Sequence, residues 1–438
     1  MAAIATTLTA LLGETAVFPQ EAWAAMWRSR LQRAIAPDAL PQCIVYPDTV
    51  DALAAVMTCA HEHQWRVLPC GNGTKLHWGP ALAGADVVVS TARLNRVVEH
   101  AIGDLTLTVE AGASFGVVQA QLAIAQQWLA LDPTFPEGAT LGGIVATADA
   151  GSLRQRYGGV RDMLIGLTLV RHDGQLAKAG GRVVKNVAGY DLMKLMTGSY
   201  GTLGVLAQLT FRTYPVQETS QTVVMQGAAA TIQAIAAAMR LSSLTPVALD
   251  LLTPDLMQAL GFEARYGLAA QFQSIAAGVQ EQVDRCLAIA DDHTAQTQVL
   301  PAETEAAVWA NGAKHVVPAP DAPPPALLLK VGIPPSDAIA QLSALIQIFP
   351  ESDVYGRIHA SSGIGLIRVD GAALTPDWVA KARSHLEGSG GYCTVLDCAA
   401  AVPTNPWGIA PDTARLMTRI RAQFDPSDRL SPGRFAAH

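Results

Sequence analysis

The chain has 438 residues, 50% of them hydrophobic and only 15% charged, with a formal net charge of −7. That composition supports a large core and two or three domains, and it excludes a globally disordered chain. The acidic balance also excludes the basic footprint of a nucleic-acid binder.

The N-terminal stretch MAAIATTLTALLGETAVF is apolar, but it lacks a basic leader and is broken by Gly13 and Glu14, a poor match to a signal peptide. No uninterrupted apolar run reaches the roughly 18 residues of a membrane span. Residues 16–40 read as an irregular or helical lead-in. CIVYP (43–47) predicts a short strand, Asp48 or Thr49 a cap, and Leu53, Val56, Met57 and Ala60 a helix at the following positions. RVLP (66–69) predicts the next strand, and the loop LPCGNGTKLHWG (68–79) leaves it directly. DVVVST (86–91) and the alternating LTLTVEAG (105–112) predict strands, and Ser114 offers a cap for a helix carrying Val118, Leu122 and Ala125. A second glycine-rich region, LDPTFPEGATLGGIVATADAGSLRQRYGGVRDMLIGLTLV, comes next. LTLVRHDGQLAKAGG predicts a hairpin turned at Asp173-Gly174, and GTLGVLAQLTFRTYP (201–215) an alternating strand ended by Pro215.

Beyond residue 218, alanine-rich amphipathic helices alternate with short strands. The pattern predicts strand 221–226, helix 228–242, strands 246–252 and 266–273, helix 276–291 and strand 295–300. After a linker at 317–326 it predicts strand 327–332, helix 336–348, strands 354–361 and 363–369, helix 375–387 and strand 392–397. Both halves read β-α-β-β-α-β, the order of a ferredoxin-like unit, with no internal sequence identity to support the repeat. The tail FDPSDRLSPGRF (424–435) is polar and turn-rich.

The six cysteines, Cys43, Cys59, Cys70, Cys286, Cys393 and Cys398, show no CxxC spacing, so neither a zinc ribbon nor an iron–sulfur site is written in them. They are expected as free thiols in a reducing compartment. The chemistry lies in the glycine-rich loops. Gly71 and Gly73 admit left-handed backbone and a close ligand, and successive N–H groups there form an anion site to which Thr74 adds a hydroxyl. It is neither a Walker loop nor a Rossmann fingerprint. On its own the stretch reads first as a plain tight turn and only second as an anion site. Thr140, Gly142, Gly143, Thr147 and Gly151, then YGGVRD and GYDLMKLMTGSYGTLGV, supply further loops fed by apolar elements. Together they suit one extended ligand with a pyrophosphate centre and two aromatic ends.

PCGNGTK, with the region from DPTFPEGATLGG through GSYGTLGV to LTFRTYP, resembles the FAD-binding domain of the vanillyl-alcohol-oxidase (p-cresol methylhydroxylase) type of flavoproteins. The resemblance covers roughly residues 43–215, and GGRVVKNVAGYDLMKLMTGSYGTLGV is especially similar to the FAD-binding subunits of bacterial glycolate oxidases. FDPSDRLSPGRF resembles the terminal segment that returns to the FAD domain in that family. The implied fold class is α+β: a two-subdomain FAD-binding domain plus a ferredoxin-like α+β cap. The expected limits are 1–40 for a helical lead-in, 41–218 for the FAD domain, 219–415 for the cap and 416–438 for the returning segment.

By resemblance, Cys70, Gly71, Asn72, Gly73, Thr74 and Lys75 form the pyrophosphate loop. Pro133, Thr140, Gly142, Gly143 and Ala146 line a second FAD segment, Gly151 and Tyr157 lie near the flavin ring, and Val205 reaches the adenine end. Relatives that attach FAD covalently often carry His where Thr74 stands, so non-covalent FAD is implied. Many relatives have ATNAGG where this chain has ATADAG, with Asp149 and Ala150. Metal-dependent relatives carry a histidine pair in the stretch matching YGRIHASSGIGLIRV (355–369), where only His359 remains. One histidine does not make a catalytic metal site, so no metal is expected.

Single residues keep two readings. His359 is a sheet histidine or a base; Arg357 and Tyr355 share its alternation and would join it in holding a small carboxylate. Arg161 and Asp162 brace a loop or pair with each other. Asn186 caps a helix predicted from Val187, and Lys185 faces flavin or a partner. His61 and His63 read as surface, and Trp78 as packing.

The resemblance implies an FAD-binding subunit of a glycolate oxidase complex, oxidising glycolate to glyoxylate and passing electrons to an iron–sulfur subunit. A second FAD-containing subunit would carry the fuller substrate site. The chain would be cytoplasmic, at most peripheral at the inner face of the cell membrane through partners. The alternatives are a self-sufficient FAD-dependent D-lactate or 2-hydroxy-acid dehydrogenase and a flavin-free scaffold.

Overall fold

The computed structural model describes residues 2–181, 190–371, 376–399 and 405–435. Lys185, Asn186 and the helix expected from Val187 lie outside the described residues. The chain divides into two compact units: 1–150, 158–216 and 409–438 form the first, and 151–157 with 217–408 the second.

In the first unit, a sheet is ordered Val17–Pro19, Cys43–Val45, Val87–Ser90, Val67–Cys70, the last three strands parallel. Parallel strands are buried on both faces, and these read accordingly as unbroken apolar runs. Cys43, Val45, Val87 and Val89 enter one core cluster, whereas Ile44 and Val88 enter another. Helix Val50–Glu62 joins two of these strands and is capped by Thr49, whose Oγ1 accepts from the Ala52 N–H at 3.0 Å. Leu53, Val56, Met57 and Ala60 form its buried stripe, as their spacing predicts. Each fully buried large apolar side chain there contributes about 1.5–3 kcal/mol.

A second, antiparallel sheet is ordered Val97–Ala101, Thr106–Glu110, Val205–Arg212, Leu164–Val170, Leu176–Gly180. The expected hairpin is present between its last two strands, with Gly174 at φ +83°. A Cβ there would lie 2.0 Å from Thr58 Oγ1, so the turn rests directly on helix Val50–Glu62. Two expectations need correction. Val205–Arg212 does not alternate but is mostly buried, because it is the central strand of its sheet. Pro215 does not end the pairing: Tyr214–Pro215 pairs with Gln127–Trp128. The tail follows helix Pro411–Phe424 and is anchored: Leu430 bridges Val67 in parallel, with Val67 N–H donating to Arg429 O at 2.8 Å.

The second unit is built on an antiparallel sheet ordered Gln296–Val299, Thr219–Gly227, Tyr266–Ser274, Ala248–Leu252, Ser352–His359, Ile364–Gly371, Leu327–Gly332, Tyr392–Cys398. The first four strands, with helices Ala229–Leu241 and Ala276–Asp292, make one ferredoxin-like half. The last four, with helices Ala338–Ile348 and Pro376–Gly388, make the other. One apolar core takes residues from both halves, among them Ile235, Val283, Leu342 and Leu386 from the helices and Leu251 and Ile358 from the strands. Helices Pro254–Ala259 and Ala302–Val316 escape the sequence reading.

The halves meet along a short seam, where Asp250, Leu251 and Leu252 pair with His359, Ile358 and Arg357. Thr253 extends it: its hydroxyl donates to Val354 O at 2.6 Å and accepts from the Gly356 N–H at 2.8 Å. Strand residues alternate in facing. Leu251 and Ile358 enter the shared core, so Asp250, Arg357 and His359 share the opposite face.

Candidate functional site

The first unit contains a cleft that is open to solvent. One wall is the loop after strand Val67–Cys70. Four successive carbonyls are engaged: Thr91 Oγ1 donates to Cys70 O, Ser90 Oγ to Gly71 O, Arg30 Nη1 to Asn72 O, and the Leu76 N–H to Gly73 O. Among the described residues, the N–H groups of Asn72, Gly73 and Thr74 have no protein acceptor. Buried N–H groups require partners, and Gly73 and Thr74 are buried, so this row of donors suits an anion. The glycines are dictated by space. A Cβ on Gly71 would stand 2.0 Å from Thr140 Oγ1, and Gly73, at φ +73°, presses on Trp27.

A second wall is helix Leu141–Thr147, whose cap Thr140 accepts from the Gly143 N–H at 3.2 Å. Gly142 N–H donates to Ala111 O at 2.7 Å, an approach that a Cβ would obstruct. The third wall is the turn Ser199–Val205.

Two buried charges face this cleft. Lys75 Nζ lies 2.7 Å from Asp149 Oδ2, both side chains about 95% buried (4% and 5% exposed). Asp149 also accepts from the Thr134 N–H at 3.1 Å and from Thr134 Oγ1 at 2.7 Å. Asp149 therefore does not face solvent; it anchors Lys75. Arg434 donates to Trp78 O at 2.6 Å, Pro80 O at 3.1 Å and Leu76 O at 2.9 Å, and lies 5.9 Å from the Tyr200 ring centroid. Burial lowers the Arg434 guanidinium to about 10, which leaves it charged at neutral pH. Burial also pushes the Tyr200 phenol up and the Cys70 thiol up to about 12, so both stay protonated.

Of the residues singled out in the sequence, Cys70–Lys75, Thr140, Gly142, Gly143, Ala146 and Val205 line the cleft. Pro133 does not line it, and Gly151 and Tyr157 belong to the second unit. Sequence reasoning missed Thr91, Ser199, Tyr200 and Arg434 as lining residues. Tyr200 and Arg434 lie inside the motifs GSYGTLGV and SPGRF, but nothing in those strings says which side chain turns inward. Trp78 is buried, stands 5.7 Å from Lys75 Nζ and does not line the cleft. Asp162 accepts from the Gly159 N–H at 2.8 Å, bracing its loop. His63 stacks on Trp65 beside helix Val50–Glu62.

The second unit holds a different cluster. Asp250 is completely buried; its Oδ1 lies 2.7 Å from His359 Nδ1, its Oδ2 accepts from Ser152 Oγ, and Arg357 Nε lies 3.7 Å away. Burial pushes the Asp250 carboxyl up, but His359, Arg357 and Ser152 outweigh it and hold the group below its ordinary value. Ser152 bonds the carboxylate and not the imidazole, so this is not a nucleophilic triad. Tyr355 makes its contacts elsewhere; it stacks with His315 at 6.3 Å and lies 5.1 Å from the Arg368 guanidinium. Among the described residues, no group of three or more His, Cys, Asp or Glu could hold a metal ion.

Residues 41–180 match the family described as FAD binding domain. The chain is 29% identical over 245 residues to glycolate oxidase subunit GlcD of Bacillus subtilis (strain 168), covering 54% of this chain and 50% of that one. It is 37% identical over 146 residues to glycolate oxidase subunit GlcE of Escherichia coli (strain K12), covering 33% of this chain and 41% of the other. The chain therefore spans about half the length, or less, of these curated relatives. Among solved structures, p-cresol methylhydroxylase with substrate bound is similar in fold, with a TM-score of 0.74 at 15% identity, covering 98% of this chain and 96% of that one. The unpaired N–H groups at Asn72–Thr74 and the two buried cations suit the pyrophosphate of FAD. Residues 41–180 thus match an FAD binding domain, the fold is similar to that of p-cresol methylhydroxylase, and FAD is the cofactor.

Proposed function

We propose that the chain is the FAD-binding subunit of a glycolate-oxidase-type complex that oxidises glycolate to glyoxylate and passes the electrons to an iron–sulfur partner subunit. FAD, when bound, takes up the two electrons of that oxidation. The observation that carries the reading is the row of unpaired N–H groups at Asn72, Gly73 and Thr74, in a domain that matches glycolate oxidase subunits. In this reading Gly71–Thr74 hold the pyrophosphate, Lys75 and Arg434 supply positive charge, and Thr140, Gly142, Gly143 and Ala146 support the second segment of the cofactor. Val205 meets the adenine end. Gly151 and Tyr157 are assigned to the flavin ring. Thr74 offers no imidazole for a covalent link, so the flavin is held non-covalently.

The domain limits 41–218, 219–415 and 416–438 belong to the same proposal, as does a second FAD-containing partner subunit. Among the described residues no helix is long and apolar enough to cross a membrane. We place the protein in the cytoplasm, peripheral to the membrane through partners at most.

A second reading, a dehydrogenase that oxidises the 2-hydroxy acid unaided, is favoured by the buried Asp250–His359–Arg357 cluster. The test is to purify the chain alone and add glycolate anaerobically. The expected protein is yellow, releases all its flavin on acid precipitation, and bleaches with glycolate only when partner subunits are restored. Bleaching of the isolated chain would establish the second reading. A colourless protein that FAD cannot reconstitute would overturn both.

A further inference from the structure

The polar cluster of the second unit is built from three separated pieces of chain. Ser152 comes from the segment 151–157, Asp250 from one ferredoxin-like half, and Arg357 and His359 from the other. A buried carboxylate without compensation would be strongly unfavourable, and here two hydrogen-bond donors and the Arg357 guanidinium converge on it. The reverse does not hold. Arg357 and His359 touch Asp250 through Nε and Nδ1 only. Among the described residues, the Arg357 Nη atoms and His359 Nε2 make no further hydrogen bond or ion pair. Both side chains are nonetheless about nine-tenths buried, 12% and 5% exposed.

That leaves a planar cation and an imidazole nitrogen with no protein partner beyond Asp250, among the described residues. Asp250 as a carboxylate only accepts, so His359 Nδ1 carries a proton toward it, and the ring in its neutral form would present a lone pair at Nε2. The Nη pair of an arginine matches a carboxylate. An acceptor nitrogen two strand positions away, on the same face, matches a hydroxyl on the adjacent carbon.

We propose that the second unit carries a metal-free binding site for a small 2-hydroxy carboxylate, in which Arg357 takes the carboxylate and His359 Nε2 the hydroxyl. Asp250, braced by Ser152, is the positioning residue that fixes both. Tyr355, engaged with His315 and Arg368, takes no part. The inference rests on the reading that the chain acts on a 2-hydroxy acid, and it assigns recognition of that acid to this chain.

Binding is measured by calorimetry on the full flavin-loaded chain, photoreduced and anaerobic so that no acid is oxidised, with glycolate and acetate as probes. The expected result is glycolate binding at least tenfold tighter than acetate, unchanged by a chelator. R357Q removes binding of both. H359F equalises the two while acetate still binds, and D250N weakens both at least tenfold. S152A, a milder change, weakens both severalfold if D250N fails to fold. R357Q binding acetate like the parent, or H359F keeping the glycolate preference, would overturn the proposal. Either result in a protein that retains its flavin leaves the FAD reading intact, whereas absence of flavin from the parent strikes at that reading first.

Discussion

The two units make their sites from different materials. The first uses backbone: free N–H groups at Asn72–Thr74, and glycines where a Cβ would collide with Thr140 or Ala111. The second uses side chains, with Asp250, Arg357 and His359 projecting from paired strands on one sheet face. A backbone site needs particular residue types in one contiguous stretch, because only glycine admits the close approach. A side-chain site needs only that distant residues converge, so it tolerates any sequence between them.

This contrast predicts separable failures. The largest effect is expected for G71V, whose branched side chain cannot coexist with Thr140 only 2.0 Å from its Cβ. The purified variant should be colourless, with FAD affinity reduced at least a hundredfold, while the second unit still folds. Retained visible flavin absorbance would mean that the loop does not hold the cofactor.

Next comes K75M, which strands a buried Asp149 carboxylate. Breaking such a pair costs about 3–5 kcal/mol. The double variant K75M/D149L should recover much of that loss in urea unfolding of the flavin-free protein. If both variants unfold alike, the Lys75–Asp149 pair is not the source of the effect.

In the second unit, T253V removes the hydroxyl that pins the seam and leaves the Gly356 N–H unsatisfied. A loss of about 1–3 kcal/mol is expected in urea unfolding, with flavin content unchanged. A drop in flavin content would blur the distinction between the two units.

The smallest effect concerns pH. The Asp250 carboxyl is held below the value of about 3.9 that it has in the unfolded chain. Its contribution to stability is therefore fully present above about pH 4 and is lost as the pH falls through the folded value. A tenfold difference in proton affinity between the folded and unfolded states corresponds to about 1.4 kcal/mol. Unfolding followed from about pH 6 downwards should show an acid-linked loss that D250N lacks. Parallel curves for the two proteins would contradict that assignment.

Much of the architecture was legible before the fold. The stripe Leu53–Val56–Met57–Ala60, the Asp173-Gly174 hairpin and the strand and helix order of both ferredoxin-like halves follow from spacing and turn residues. Helix Ala302–Val316 was not legible, because AETEAAVWANGAKHV carries a broken apolar stripe and an internal Asn-Gly that reads as a turn. Asp250 offered one faint signal, an acidic residue inside the apolar strand ALDLL. Nothing in that string names its partners.

The sequence by itself marked the cofactor loop, once Gly71 and Gly73 were read together with the later glycine-rich loops. It also determined the order of elements, which local periodicity dictates. Only the tertiary structure decided that Asp149 anchors Lys75, that Arg434 returns to cap the cleft, and that Ser152, Asp250 and His359 meet. Each of these contacts joins residues 74 or more positions apart. Burial makes such pairs obligatory once formed, because a charge removed from water must find a partner. No local pattern specifies which partner that is.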